Sequence, residues 1–463
     1  MSAAGRDPAA LLLAELVGSL HWSELPDAVH NRAKELTLDL LGVATRGSAE
    51  ASSAPVHAFV RETAPAGRAT VIGAGFSSSA AWAALANGTA AHAIELDDVT
   101  TESSLHPGVA VIPAALAVAE ERRAVPTAFL EAIVAGYEVT MRVGNALNPA
   151  SAYRRGFHPT GVAGVFGAAV AAGRLLELDI DGLVRAMGIA GTLAAGSLEY
   201  LADGSFTKRL NAGWAAHAGS VAAGLARAGF TGPATVFDGR LGVLHAFTDE
   251  PRPERLLADL GQPLQILRVS VKPYACCRYN HGLIDCVLQL RREHGIVPED
   301  VVGIRLGVLS GGALLVADPI EQKRVPTNVV DAQFSAPFAA AVALVRGAAG
   351  FAEHAQANVD DPAIRALMAR TECYRDPALD AAYPAKWPAA ASIDLRDGRT
   401  VATSVEYATG EPENPVPRVA LVEKFVSLAG NLLPPDWARD LADRILRLDE
   451  QASLADVLGS LRG

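Results

Sequence analysis

At 463 residues the chain is longer than one ordinary hydrophobic core organises, so two domains are expected. Half of it is hydrophobic and a fifth is charged, which excludes a disordered chain. The formal net charge of −11 and the absence of any lysine–arginine block exclude a nucleic-acid binder and a protein held on a membrane surface.

Asp7-Pro8 reads as the cap and first position of a helix. A second helix follows Leu25-Pro26, with Val29, Ala33, Leu36, Leu40 and Val43 on one apolar face, and ends at Gly47-Ser48. Residues 69–72 are extended. Gly73-Ala-Gly75 then turns into a helix over 80–91 that Ser77 or Ser78 caps. A dinucleotide fingerprint is excluded here, because the third glycine is missing and no β-α-β context follows. Two helices span 109–145, broken at Val125-Pro126-Thr127. Residues 152–161 form a polar turn into a helix over 162–173 built almost wholly of glycine, alanine and valine. Glycine disfavours a helix interior, so close backbone packing must compensate. A small-residue helix over 181–197 and a polar junction at 205–213, feeding a helix over 214–228, complete this half.

At Leu264 the period changes. Residues 264–271 read as a strand, 282–294 as a helix, 301–309 as an alternating strand and 332–345 as a helix. Residues 389–394 and 400–407 form a hairpin turning at Asp397-Gly398. Helices return over 419–429, 435–448 and 453–461. The expected fold is mainly α with an inserted α/β domain: residues 1–265 and 410–463 make a helical domain, and 266–409 make the insertion. The longest apolar run, 162–173, is too short to cross a bilayer and ends at Arg174. Cys276, Cys277, Cys286 and Cys373 show no zinc or Cys-x-x-Cys spacing, so no metal is expected, and the thiols are those of a reduced, cytoplasmic chain.

The chemistry gathers in a few polar segments. Between two apolar helices, residues 92–108 carry Glu95, Asp97, Asp98 and Glu102, and then His106 before a Pro-Gly turn. Acidic residues in such a place call for a partner or a purpose; the alternative is a solvated loop. His158 also precedes a proline that opens a helix, and histidine is the natural acid or base near neutral pH. Lys208-Arg209 stands just before a helix, where backbone amides favour an anion. Lys272 ends the strand at 264–271, with Tyr274, Arg278 and His281 close behind. Together these supply cations, two imidazoles and a carboxylate pair, a set suited to holding a small di- or tricarboxylate and moving a proton beside one of its carboxylates. Three suitably placed cysteines for an iron–sulfur cluster are absent.

The chain resembles the MmgE/PrpD family, which includes 2-methylcitrate dehydratase, cis-aconitate decarboxylase and iminodisuccinate epimerase. The resemblance lies in Ala91-His92-Ala-Ile-Glu-Leu-Asp-Asp98, His106-Pro-Gly108 with Val111-Ile-Pro113, and Gly156-Phe-His-Pro-Thr-Gly161. It continues in Lys208, Leu210 and Gly213, Gly229-Phe-Thr-Gly232, Lys272-Pro-Tyr274 with Cys276-Cys-Arg278, Asp331-Ala-Gln-Phe-Ser335, Asn414-Pro415 and Lys424-Phe425. It implies a helical domain with an inserted α/β lid, a homodimer, and a cofactor-independent lyase or isomerase. Asp97, His106, His158, Lys208 and Lys272 would be the catalytic set, with Glu95, Asp98, Arg209, Tyr274, Arg278 and His281 holding substrate. The expected reaction is dehydration of a 2-methylcitrate-like substrate. Epimerisation of an iminodisuccinate-like substrate, cis-aconitate-type decarboxylation and carboxylate binding without turnover are the alternatives. Against the family pattern, Glu95 replaces a common aspartate, Val99 a hydroxyl residue of the decarboxylase branch and Asn211 a common histidine. One extra residue separates the acidic pair from His106, and residues 318–324 lack a tyrosine that the decarboxylase branch uses.

Overall fold

The computed structural model describes residues 8–383 and 385–463, so Asp7 and its expected capping role lie outside the described residues. The chain divides into two compact units, Met1–Val269 with Pro417–Gly463, and Ser270–Val416. It is mainly helical, with a smaller α/β part.

The first unit opens with helices α1 (Ala9–Gly18), α2 (Asp27–Gly47) and α3 (Ser53–Thr63), then a two-stranded ribbon, β1 (Ala69–Val71) and β2 (Phe76–Ser78). The expected direct turn into a helix is therefore a hairpin. Gly73 and Gly75 both take positive φ, which lets the chain reverse, and the next helix has Ser79 at its cap position. That helix, α4 (Ala80–Ala91), leads through a long loop to α5 (Gly108–Arg122), α6 (Pro126–Ala146), α7 (Pro149–Arg154), α8 (Pro159–Leu175), α9 (Ile180–Leu193) and α10 (Thr207–Arg227).

Helix α8 is the centre of this unit, packed by α5, α6, α9 and α10. Every residue from Pro159 to Gly173 is buried. Its small side chains let neighbouring backbones approach. A Cβ at Gly167 would overlap the Gly136 carbonyl oxygen and the Thr140 side chain, and one at Gly213 in α10 would overlap the Leu85 carbonyl and Thr89 in α4. The contacts offset the helix-weakening effect of glycine. The expectation that Lys208-Arg209 precede this helix is corrected: α10 begins at Thr207, so both cations lie in its first turn. The helix Arg418–Ala429 packs on α2. From it, Lys424 donates to Asp39 Oδ1 (2.6 Å) and to the Leu96 carbonyl oxygen (2.9 Å).

The expected strand at 264–271 is a 3₁₀ turn over Gln265–Arg268. Among the described residues its apolar run joins no sheet; instead Gln265 N donates to Glu138 Oε2 (2.7 Å). In the second unit a mixed sheet has the order β4 (Thr371–Arg375), β3 (Val301–Val308), β5 (Ala389–Leu395), β6 (Thr400–Val405). β3 pairs parallel with β4 and antiparallel with β5, and β5 with β6 forms the expected hairpin. Helices His281–His294 and Ala336–Arg346 pack on the sheet. The expected helix at 332–345 is broken, because Ser335 Oγ accepts from Phe338 N (3.0 Å) and caps a fresh start.

Candidate active site

In the first unit the loop between α4 and α5 is folded inward, and His92 and Asp97 are both fully buried. Glu95 takes a left-handed backbone (φ 57°), a conformation uncommon for a non-glycine residue. Asp97 Oδ2 lies 2.8 Å from His92 Nδ1 and 2.8 Å from His106 Nδ1. Burial alone would raise the Asp97 pKa, but the His106 and His92 imidazoles outweigh it and hold the carboxyl well below its usual range. A carboxylate there accepts Nδ1–H from both rings, so a neutral ring at either place has its lone pair on Nε2. His106 Nδ1 is also 2.8 Å from the Asp98 carbonyl oxygen, and its backbone N–H donates to Thr160 Oγ1 at 3.2 Å, which ties the loop to the start of α8.

His158 is the residue before the first turn of α8. Asn211 Nδ2 donates to the Ser197 carbonyl oxygen (3.2 Å) and approaches His158 Nδ1 at 3.4 Å. A donor at Nδ1 leaves the ring hydrogen of His158 on Nε2, the opposite arrangement to His106. Burial pulls the His158 pKa well below its ordinary value, helped by His92, Lys208 and His106. Its ring is therefore neutral at neutral pH. The His92 ring stacks on His158 (centroids 5.7 Å apart) and meets His106 edge-on (4.9 Å). Lys208 is ion-paired with Glu95, which reaches it from the loop, and Arg209 lies over the Phe206 ring.

Asp98 is engaged differently. Its Oδ1 accepts from Gly108 N (3.0 Å) and its Oδ2 from Tyr137 Oη (2.6 Å). Burial pushes its pKa up to about 7 against the opposing Tyr137 hydrogen bond. It joins the loop to α5 and α6.

His92, Asp97 and His106 are also a donor set that could hold a metal, with one ligand atom from each inside 4.8 Å. The two nitrogen-to-oxygen separations of 2.8 Å are those of direct hydrogen bonds. Ligands around a tetrahedral zinc at roughly 2.0–2.1 Å would stand about 3.3 Å apart.

The second unit brings together the other expected residues. Lys272 is buried at 1 % exposure. Tyr274 Oη donates to Asp285, and Arg278 is ion-paired with Glu411, whose other oxygen accepts from Ser270 Oγ (3.2 Å). Burial pulls Arg278 down to about 10. His281 stands edge-on to Tyr274 (5.2 Å), and burial, with Arg278 and Lys272, pulls its pKa well below the usual value. Cys276, Cys277 and Cys286 are buried free thiols, and burial pushes Cys286 and Cys373 up to about 12, far from reactive thiolates.

Of the expected residues, Glu95, Asp97, His106, His158 and Lys208 thus share one neighbourhood, and Lys272, Tyr274, Arg278 and His281 another. Sequence reasoning gave no role to His92, Thr160, Tyr137 or Glu411. His92, at the head of the acidic loop, and Thr160, two residues after His158, stand in segments that the sequence singles out; Tyr137 and Glu411 do not.

Residues 12–256 match the MmgE/PrpD N-terminal domain and residues 274–450 the MmgE/PrpD C-terminal domain. Among curated proteins, a cis-aconitate decarboxylase-like protein of Aspergillus oryzae is 29% identical, covering 97% of this chain and 96% of its own. A cis-aconitate decarboxylase of Aspergillus terreus is 28% identical (95% and 94%), and that of Homo sapiens 26% (97% and 94%). With both halves matched and the inward-folded His–Asp–His loop in place, the chain belongs to the MmgE/PrpD family of enzymes.

Proposed function

We propose that this enzyme is a lyase that moves a proton at the carbon next to a carboxylate of a small di- or tricarboxylate, using its own side chains. The observation that carries the reading is the opposite hydrogen-bonding state of two neighbouring imidazoles. His106, with Asp97 on Nδ1, offers a lone pair at Nε2. His158, with Asn211 at Nδ1, offers a hydrogen at Nε2. A base and a hydrogen-bond donor fixed in this way suit a dehydration. His106 takes the α proton, the electron pair forms the alkene, and the β-hydroxyl, held by the neutral His158 Nε2–H, leaves as water with the proton that His106 has taken. Lys208 would meet a substrate carboxylate and the charge that builds on the enolate, displacing part of its pairing with Glu95. Lys272, Tyr274, Arg278 and His281 are our further substrate-holding candidates.

A decarboxylation is the second reading, favoured by what the relatives are named. There the bond to the departing carboxylate breaks, its electron pair stays on the carbon skeleton, and a solvent proton relayed by His106 is delivered to carbon. Val99 and the tyrosine-free stretch 318–324 favour dehydration over it. Incubation in heavy water with citrate, 2-methylcitrate, cis-aconitate and iminodisuccinate, followed by NMR and CO₂ release, tests both. A new alkene means dehydration, loss of CO₂ means decarboxylation, and deuterium uptake without net conversion means epimerisation. Silence on all four substrates refutes the lyase reading and favours a carboxylate-binding protein. We further propose a homodimer, which light scattering checks. Among the described residues, no helix is long and apolar enough to cross a membrane.

A further inference from the structure

We infer that His92 is a positioning residue that sets both the aim of His106 and the spacing of the two imidazoles, an inference that rests on the acid–base reading above. His92 is fully buried, and its Nε2 has no hydrogen-bond partner. A phenylalanine or leucine would fill the same space without stranding a polar atom, so packing alone does not explain an imidazole. What the imidazole adds is its Nδ1–H. It donates to Asp97 Oδ2, the same oxygen that lies 2.8 Å from His106 Nδ1.

Asp97 Oδ1 is buried and has no partner, so Oδ2 and its two imidazoles fix the rotation of this carboxylate. Without His92 the carboxylate could turn, and the His106 hydrogen, now shared between Asp97 and the Asp98 carbonyl oxygen at 2.8 Å, would pass wholly to that carbonyl. The His106 ring would then be held from one side only and its Nε2 lone pair would lose its direction. The His92 ring also lies against both His106 (64° between planes) and His158 (21°), so its presence sets the gap between the two imidazoles.

The test separates the donor from the ring. In His92→Asn the amide nitrogen stands close to the old Nδ1, while His92→Phe keeps a ring without a donor. We expect His92→Phe to lower kcat by about 10²-fold, the size of a small misplacement of a catalytic group, with KM changed by less than about twofold. His92→Asn should recover kcat to within about tenfold of the parent. If His92→Phe does not fold, His92→Gln takes its place, because its longer amide reaches toward the Nε2 position and misses Asp97. Independently of turnover, ¹⁵N-histidine NMR should show His106 hydrogenated at Nδ1 in the parent and in His92→Asn, and a shifted or mixed state in the donor-less variant.

Near-parent kcat and an unmoved His106 signal in His92→Phe would overturn the inference. So would equal damage from Asn and Phe in variants that melt like the parent, or a stoichiometric metal in the purified protein that leaves with His92. If the parent turns over none of the four substrates, the lyase reading fails while the NMR arm still decides what His92 does to His106.

Discussion

Replacing Asp98 by asparagine isolates one buried carboxyl whose behaviour with pH follows from its surroundings. In the folded chain this group is buried, and its pKa rises from an ordinary 3.8 to about 7. A carboxyl raised in this way binds its proton more tightly in the native chain than in the unfolded one. Its contribution to stability is therefore fully present below about pH 4, declines as pH climbs through 7, and is lost above that. Three units at about 1.4 kcal/mol each give a decline of roughly 4 kcal/mol. Asparagine has nearly the same shape. Its oxygen can accept from Gly108 N, and its amide can donate to Tyr137 Oη once that hydroxyl turns, so the junction keeps its hydrogen bonds while losing its titration. Urea unfolding followed by tryptophan fluorescence suits the measurement, since Trp22, Trp82, Trp214 and Trp437 lie in the same unit as Asp98 and only Trp387 lies in the other. We expect the two proteins to unfold at similar urea near pH 4.5 and the variant to be the more stable at pH 8. Parallel curves would refute the reasoning. A parent that gains on the variant as pH rises would mean that Asp98 is ionised and stabilised as an anion.

Three further outcomes are expected. Gly167→Ala places a methyl against the Gly136 carbonyl oxygen, which is backbone and cannot give way; it should cost about 1–3 kcal/mol and lower the melting temperature by several degrees, and an unchanged melt would show that α6 and α8 are not in close contact. Lys208→Met and Lys272→Met should each lower kcat by about 10²-fold with folding retained, judged by steady-state kinetics and circular dichroism, whereas Lys386→Met, on a lysine paired with Glu406 at the surface, should leave turnover unchanged. Asn211→Asp supplies an acceptor where His158 now meets a donor; the ring hydrogen should move to Nδ1, seen in ¹⁵N shifts, and turnover should fall by at least about 10²-fold.

The helical frame was legible because apolar spacing and proline starts are local signals. Helix α4 runs over the residues that its composition marks, and His106 and His158 stand before helix-opening prolines as their sequence context implies. The failures have physical reasons. Leu264, Ile266, Leu267, Val269 and Val271 make a short apolar run like that of a strand, yet such a run says nothing of whether a partner edge is present, and the chain turns instead onto Glu138. Strand β4 was invisible because Thr371–Arg375 carries two charged residues and lies on the edge of the sheet, paired only with β3. Within the site, the residue types were readable but their pairing was not. Nothing in the sequence says that Lys208 meets Glu95, or that one oxygen of Asp97 serves two imidazoles, since these contacts join segments that only the folded packing of α4, α8 and α10 brings together.

The hold of Lys424 on Asp39 and on the Leu96 carbonyl has a consequence for synthesis. The residue beside Asp97 is clasped by a side chain that follows it by more than three hundred positions. At ribosomal speeds of roughly 5–20 residues per second, the loop exists for about 15–65 s before its clasp emerges. A nascent chain thus carries every imidazole of the candidate site without the last fastening of the loop that orders them. Activity should appear as a late event in biosynthesis, once the distant helix docks on α2, so that unfinished chains released from the ribosome carry the parts of the catalyst but not its alignment.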